Sequence, residues 1–371
     1  ATGSGTLAMA GDNDSKYRPA TQLVTGGRSG DFARDVVNPP VWRASTHLYD
    51  NCAELRARKA ANRDGQFFYG RRGAPTQWAL SEALTALEPG AAGTVLYPSG
   101  LAALVGALLT VLRSGDVLLV ADNAYDPTRN TATGLLAGFG IEHRFFDPLD
   151  LDAYEAAFCD RTRAVMLEVP GSLTMEVCDI PALARIARAK GAVSLVDNTW
   201  ATSLGFPALK HGCDIAITAL TKHVGGHSDV MMGSASAGDH WYRRLRLGAQ
   251  QLGHVVSPDD AALVLRGVRT MGVRLGKQSA TALAVAEWLA GRDEVAHVLA
   301  PMLPGTPGHA LWQRDFAGGC GLFSFVLKGG DDAARCRLVD ALALFGIGYS
   351  WGGFESLALP FDVEPVRDTM P

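Results

Sequence analysis

The chain has 371 residues, of which 47% are hydrophobic and 19% charged, and this composition excludes an intrinsically disordered protein. Lysines and arginines number 34 against 38 aspartates and glutamates, so the formal net charge is −4. Without a basic excess, a nucleic acid or an acidic membrane surface is not expected as a partner. The six cysteines include no Cys-x-x-Cys pair, which predicts reduced thiols and a cytoplasmic protein.

The N-terminus and the longest apolar run bear on targeting. Residues 1–20 lack a positively charged region followed by a hydrophobic stretch, so we expect a flexible arm rather than a secretory signal. The longest apolar run, residues 100–112, is shorter than the ~20 residues that span a bilayer. It is predicted to be a buried helix, and no membrane partner is expected.

Short apolar runs alternate with helix-like segments in the first two thirds of the chain. The predicted strands are 94–98, 116–121, 163–169, 192–197 and 214–220, and the predicted helices between them include 101–113, 130–138 and 181–190. Near-continuous apolar strands separated by helices are typical of a mostly parallel sheet that is covered on both faces. We therefore predict a doubly wound α/β core.

A long helical pattern follows the predicted core. It covers residues 257–290, with Ser257 as the N-cap and Pro258 at the first helical position. It is predicted to lead into a smaller C-terminal α+β domain whose first strand is 321–329. The predicted division is an N-terminal arm (1–60), an α/β domain (61–250) and a C-terminal domain (251–371).

Two residues follow neighbouring predicted strands and indicate a chemistry. Asp197 ends one strand and Lys222 comes directly after the next, so both should face the crevice beyond the carboxyl ends of the sheet. Alone, such an aspartate is usually a turn residue. Desolvation would lower the pKa of a lysine there, toward a free amine able to form a Schiff base with pyridoxal 5′-phosphate (PLP). That cofactor needs a carboxylate against its pyridinium nitrogen, and Asp197 fits.

The stretch "YPSGLAAL" predicts a strand, a turn and the start of a helix. The first helical amides, those of Gly100 and Leu101, would then suit a phosphate group, because a helix N-terminus binds anions. The alternative is an ordinary strand-to-helix turn.

The sequence gives little support for a metal site or a nucleotide site. His223 and His227 lie four residues apart with Asp229 beyond them, but Gly225 and Gly226 between them disfavour a regular helix, and no His-Glu-x-x-His motif is present. We predict no metal site. No phosphate-binding Gly-x-x-x-x-Gly-Lys motif occurs either, so nucleotide binding is not expected.

Six stretches occur in the order of a known family. They are "YGRRGAPTQWAL", "YPSGLAAL", "DNAYDPTR", "LEVPGSLTMEV", "DNTWATSLGFPALKHGCDIAITALTKHVGGHSD" and "YSWGGFESL". They resemble the motifs of the Cys/Met-metabolism PLP-dependent enzymes, in particular the cystathionine β-lyase branch. The resemblance covers residues 34–359 and implies an aspartate-aminotransferase-like α/β fold (PLP fold type I).

The resemblance also implies roles for single residues. Lys222 would form the Schiff base with PLP, and Asp197 would pair with the ring nitrogen. Gly100 and Leu101 would give their amides to the phosphate. Tyr125 would stack on the ring as a second catalytic residue.

Further implied residues concern the phosphate, the substrate and a second subunit. Thr221 would help to bind the phosphate, and Tyr69 and Arg71 would reach the phosphate of a neighbouring subunit, where the planar arginine fork suits phosphate oxygens. The family implies a cytoplasmic homotetramer, a dimer of dimers with shared active sites. The substrate pocket is expected to be lined by Tyr349, Ser350 and Trp351.

Within the family, two features favour the β-lyase branch. "PGSLTMEV" stands where relatives that act at the γ carbon more often have an Asn-Pro version, and Trp351 stands where they tend to have leucine. The implied reaction cleaves L-cystathionine or a related S-substituted cysteine to a thiol, pyruvate and ammonia, as in transsulfuration and methionine biosynthesis. The alternatives are a γ-lyase or γ-replacement enzyme, or a PLP-bound regulatory or scaffold protein with little turnover.

The sequence departs from the family pattern at two places. The family's carboxylate-binding arginine lies in an "RLHIG"-like stretch, and this sequence has only Arg367, outside such a motif. We expect the C-terminal domain to be truncated; otherwise a contact of about 1.5 to 3 kcal/mol is missing. The second departure is Ala219, where many relatives have a serine near the phosphate.

Overall fold

The computed structural model describes residues 17–28 and 35–370, and seven of the strands in those residues form one sheet. The predicted N-terminal arm therefore lies partly outside the described residues. The sheet strands are β1 (Gly93–Tyr97), β2 (Val117–Ala121), β3 (Glu142–Phe146), β4 (Thr162–Glu168), β5 (Val193–Asp197), β6 (Ile215–Ala219) and β7 (Gly233–Ala237).

The strand order is β1-β7-β6-β5-β4-β2-β3. From β6 to β3 all neighbours are parallel, while β7 is antiparallel to both β1 and β6. Leu119 packs into one buried cluster and its neighbours Leu118 and Val120 into another, so the sheet separates two apolar cores. The predicted doubly wound, mostly parallel sheet is confirmed.

The helices lie before, between and after these strands. Among the described residues they are α1 (Pro19–Thr25), α2 (Cys52–Ala61), α3 (Pro75–Leu87), α4 (Gly100–Val111), α5 (Asp126–Asn130), α6 (Leu151–Ala156), α7 (Ile180–Ala189), α8 (Thr202–Gly205), α9 (Asp239–Leu252), α10 (Pro258–Ala290), α11 (His309–Asp315) and α12 (Asp332–Asp340). None of them is long and apolar enough to cross a membrane.

The predicted start of a helix agrees with the structure where the sequence contains a recognisable N-cap residue. Ser257 caps α10 and accepts the amides of Asp259 and Asp260, as the Ser-Pro pair predicts. The helix predicted at 130–138 begins earlier, with α5, and continues as a π-helical turn over Thr131–Leu136. Pro127 explains the earlier start, because its fixed φ suits the first turn of a helix.

Two strands of the sheet are absent from the predicted set. β3 carries three charged or polar residues, Glu142, His143 and Arg144, at the edge of the sheet. β7 has the sequence Gly-Ser-Ala-Ser-Ala, which has low β propensity. Its small residues serve close packing, since a Cβ atom built on Gly233 would lie 2.3 Å from the carbonyl oxygen of Ser99.

The C-terminal region forms a second, two-stranded antiparallel sheet from β8 (Val295–Leu299) and β9 (Ser324–Leu327). β9 lies within the predicted strand 321–329. The expectation that it is the first strand of the region is wrong, because β8 precedes it. The α+β character follows from the packing of α10 against β8 over a small apolar cluster, which includes Ala286 and Val298. The domain boundaries at residues 60 and 250 stay a prediction.

Candidate active site

Asp197 and Lys222 lie at the same edge of the large sheet. Asp197 is the last residue of β5, and Lys222 is the third residue after β6, the parallel neighbour of β5. Burial lowers the pKa of Lys222, while the nearby charge of Asp197 acts in the opposite direction. The structure therefore brings a partly desolvated amine and a carboxylate into one crevice, as the sequence predicts.

Thr199 holds Asp197 in place. Oδ1 of Asp197 accepts the Thr199 amide at 2.9 Å and the Thr199 hydroxyl at 2.5 Å, and this hydroxyl accepts the amide of Ala219 at 2.8 Å. Burial raises the pKa of Asp197, and the hydrogen bonds from Thr199 oppose that rise. Within the described part of the chain, Oδ2 has no hydrogen bond. It is the oxygen available to a ring nitrogen.

The amine of Lys222 contacts the segment that carries the predicted pocket residues. Its Nζ donates to the Ser350 hydroxyl at 2.7 Å and lies 5.1 Å from the centroid of the Trp351 ring. Ser350 has a φ of 101°, in the region that disfavours side chains and costs on the order of 1–3 kcal/mol. Such strain is typical of functional sites, and here it aims a hydroxyl at the candidate nucleophile.

Two side chains of α10 bind the backbone of the two segments that meet at Lys222, the loop after β6 and the loop around Trp351. Arg274 donates to the carbonyl of His223 at 2.6 Å and to that of Val224 at 3.2 Å, directly after Lys222. Gln278 donates to the carbonyl of Gly353 at 3.0 Å. The loop after β6 and the loop around Trp351 are thus fixed to one helix.

The region around the start of α4 fits a phosphate group. Ser99 caps the helix by accepting the amide of Ala102 at 3.0 Å, while the amides of Gly100 and Leu101 have no partner inside the helix. A Cβ atom at Gly100 would lie 2.6 Å from the Cβ atom of Ala219, so this helix start is packed against the end of β6. Donors for an anion therefore lie beside the strand that leads to Lys222.

The position of Thr221 bears on its implied phosphate contact. Its hydroxyl donates to the carbonyl of Met232 at 3.2 Å and accepts the amide of the same residue at 3.0 Å. In this chain the hydroxyl therefore joins the loop after β6 to the start of β7. A role at the phosphate stays a prediction.

Tyr125 lies at the carboxyl edge of the sheet, directly before α5. Its amide donates to Oε2 of Glu168 at 2.6 Å, and its side chain is 48% exposed. Burial is the main cause that raises the pKa of its hydroxyl, and the charges of nearby carboxylates such as Asp197 and Asp126 act in the same direction. The ring is accessible beside Asp197, as stacking on a cofactor requires.

Three other predicted residues lie apart from this cluster. Tyr69 is 44% exposed, and Arg71 donates to the carbonyl of Gln250 on α9 at 2.8 Å. Tyr349 is 85% exposed, whereas its neighbours Ser350 and Trp351 turn toward Lys222. The described residues of a single chain do not bring Tyr69 or Arg71 to Lys222.

The histidines near Lys222 are buried or bonded locally. Burial lowers the pKa of His223 to about 3, and its ring lies 5.2 Å from that of Trp351. Nδ1 of His227 lies 2.7 Å from the carbonyl oxygen of Gly225. His223 is thus a neutral packing partner of Trp351.

Sequence reasoning missed three residues that position the site: Thr199, Glu168 and Arg274. Glu168 ends an apolar strand, as Asp197 does, and that shared position was the available signal. Arg274 gives a weaker signal, because it is one of four cations on α10 and no local pattern sets it apart from the others. Thr199 gives a local signal, since a threonine two residues after an aspartate suits a turn, whereas its bond to Ala219 depends on how β5 and β6 pair.

A lysine amine, a carboxylate and free helix amides at the carboxyl edge of such a sheet define an enzyme that binds an aldehyde cofactor bearing a phosphate. The chain belongs to the family of Cys/Met metabolism PLP-dependent enzymes, whose pattern matches residues 20–363.

Similar proteins agree with this assignment. The chain is 48% identical over 355 residues to a putative cystathionine β-lyase of Rhizobium johnstonii, covering 94% of this chain and 88% of the relative. It is 41% identical to the cystathionine β-lyase of Escherichia coli, covering 95% and 89% of the two chains. The crystal structure of MetB from Corynebacterium glutamicum superposes with a TM-score of 0.87 at 29% identity, covering 94% of this chain and 88% of that one.

Proposed function

We propose that this protein is a PLP-dependent carbon–sulfur β-lyase that cleaves L-cystathionine or a related S-substituted cysteine to a thiol, pyruvate and ammonia. The observation that carries the proposal is the Lys222 amine, 2.7 Å from Ser350 and beside Asp197. Relatives named cystathionine β-lyase at 41% and 48% identity support the choice of substrate.

Five groups would hold the cofactor. Lys222 would bind it covalently, Oδ2 of Asp197 would face the ring nitrogen, and the amides of Gly100 and Leu101 would bind the phosphate. Tyr125 would cover one face of the ring. When bound, PLP supplies an aldehyde for attachment and a ring that withdraws electrons from the substrate Cα.

The residues of the chain then move the protons. Burial lowers the pKa of Lys222, which favours its amine as the base for the Cα proton. The resulting ammonium is the acid that can protonate the leaving sulfur. The Ser350 hydroxyl accepts a hydrogen bond from Nζ and would orient it, and Asp197 would keep the ring nitrogen of bound PLP protonated.

Trp351 and its neighbours support a pocket for the substrate side chain. The Trp351 indole lies beside the Lys222 amine, and flanking Gly352 has a φ of 85° and packs against the amide of His223. This close packing leaves little freedom for the indole. We propose that it limits the space beyond the substrate sulfur, together with Ser350 and exposed Tyr349.

We also propose the assembly and setting implied by the sequence. A cytoplasmic homotetramer built from two dimers, acting in methionine biosynthesis, is supported by two observations. The six cysteines are free thiols. Tyr69, expected to reach a neighbouring active site, is partly exposed.

Product analysis tests the proposed function. Purified protein with PLP and L-cystathionine should give pyruvate, together with a visible absorbance band that is absent from Lys222→Ala. Lys210→Ala, an exposed lysine outside the site, is the matched control and should behave like the wild type. α-Ketobutyrate in place of pyruvate would assign γ-elimination, and a band without either keto acid would favour a non-catalytic PLP protein.

A further inference from the structure

Glu168 and Asp197 form a pair of carboxyl groups at the edge of the sheet. They are register partners at the ends of β4 and β5, which are parallel neighbours. Neighbouring strands lie about 4.8 Å apart, and partners in register point to the same face, so the two side chains lie together. Both residues are half-buried, and two adjacent carboxylates in such a place ionise together only at a cost.

The hydrogen bonds around the two groups differ. Asp197 accepts two donors from Thr199 and lies near the Lys222 amine, and both arrangements stabilise its charge. Glu168 accepts the amide of Tyr125 at 2.6 Å and a hydrogen bond from the Ser172 side chain, but no lysine amine lies beside it as Lys222 lies beside Asp197. No salt bridge in the described ranges, 17–28 and 35–370, includes Glu168.

Arg367, whose charge acts on Glu168, donates its hydrogen bonds to other groups. The Arg367 guanidinium donates to the carbonyl of Ser172 at 2.8 Å and to the hydroxyl of Thr174 at 2.9 Å. Burial and the charge of Asp197 raise the pKa of Glu168 well above its usual range, against the opposing effects of Tyr125, Arg367 and Ser172. The geometry and the charges thus favour a proton on Glu168 rather than on Asp197.

We propose that Glu168, as an uncharged acid, is a positioning residue that holds the backbone of Tyr125 and leaves Asp197 as the single carboxylate charge at the cofactor ring. The proposal rests on the proposed PLP function. It follows that Glu168 needs no charge for this role, whereas its oxygen that accepts the Tyr125 amide is required.

Two substitutions separate these properties. Glu168→Gln keeps an acceptor for the Tyr125 amide but cannot ionise, so we expect PLP affinity and kcat/KM within about threefold of the wild type. Glu168→Leu leaves the Tyr125 amide unpaired, which should weaken PLP binding by at least about tenfold and shift the cofactor absorbance. Glu155→Gln, at an exposed position of α6, controls for loss of a glutamate charge.

An infrared measurement on the protein without PLP tests the proton directly. In a Glu88→Gln background, which removes the other buried acid with a raised pKa, the protein at neutral pH should show the C=O stretch of a protonated carboxylic acid. Adding Glu168→Gln should abolish this band, and adding Glu155→Gln should not. If Glu168→Leu does not fold, this comparison and the affinity of Glu168→Gln still decide the matter.

Two results would overturn the proposal. One is a Glu168→Gln variant as damaged as Glu168→Leu, and the other is an infrared spectrum without that band, since either means that Glu168 carries a charge. Failure of the wild type to bind PLP through Lys222 would instead count against the proposed function. The two failures are therefore distinguishable.

Discussion

The carboxyl edge of the large sheet and the segment before α3 make different contributions to the proposed active site. At the sheet edge, Asp197 and Lys222 are held by hydrogen bonds from within the same chain. In the segment before α3, Leu48 is 92% exposed, and Tyr69 lies apart from Lys222. The first region thus holds its candidate residues by contacts within one chain, while the proposed role of the second region requires another copy of the chain.

Mixing two inactive variants tests this comparison most severely. Lys222→Ala and Arg71→Ala should each lose at least about 100-fold in kcat/KM, the first through loss of the base and the second through loss of a phosphate clamp. Mixed after mild dissociation, they should recover about a quarter of the wild-type activity, because each hybrid dimer contains one intact site. No recovery would show that Arg71 acts within its own chain.

Arg274 tests whether the sheet edge is self-supporting. Arg274→Ala leaves the carbonyls of His223 and Val224 without these donors, so the loop of Lys222 should loosen and kcat/KM should fall by about 10- to 100-fold. Arg266→Ala, an exposed position on the same helix, should leave kcat/KM unchanged. Equal effects of both substitutions would contradict a specific role for Arg274.

Thr199 provides a second test of the sheet edge, at the carboxylate of Asp197. Thr199→Val removes the hydroxyl donor from Asp197, so the pKa of Asp197 should rise further and the ring nitrogen should lose its proton more readily. We expect kcat/KM to fall about tenfold, with recovery in Thr199→Ser, which keeps a hydroxyl. A serine variant as poor as the valine variant would point to packing instead.

The smallest predicted effect concerns stability, at the end of α3. Glu88 is buried, accepts the Leu209 amide at 3.0 Å and the Ser203 hydroxyl at 2.5 Å, and burial raises its pKa from 4.5 to about 7. The folded protein binds this proton more tightly than the unfolded chain, so stability should fall as the pH rises from about 4.5 to about 7.

Calorimetry of Glu88→Gln checks this expectation. The variant has no charge to bury, so its Tm relative to the wild type should be higher by a few degrees at about pH 8 than at about pH 5. A difference in Tm that does not change with pH would contradict a buried, titrating Glu88.

The strands and residues that could be predicted are those whose signal lies in consecutive positions. β2, β4, β5 and β6 are apolar runs, and Asp197 and Lys222 stand at the ends of two of them. β7 could not be predicted in this way, because its first residue, Gly233, packs against Ser99 and Gly100, more than 130 positions away in the sequence. Arg274 and Glu168 likewise depend on tertiary packing and strand register, which no local pattern records.

The attachment of two loops to α10 has a mechanical consequence. Arg274 and Gln278 are four residues apart and therefore on the same face of the helix, one bonded to the backbone after Lys222 and the other to Gly353. A tilt of α10 would move the loop of Lys222 and the loop of Gly353 together, so the distance from Nζ to the Ser350 hydroxyl would be preserved. The proposed proton carrier and the proposed wall of the substrate pocket are therefore mechanically coupled through one helix.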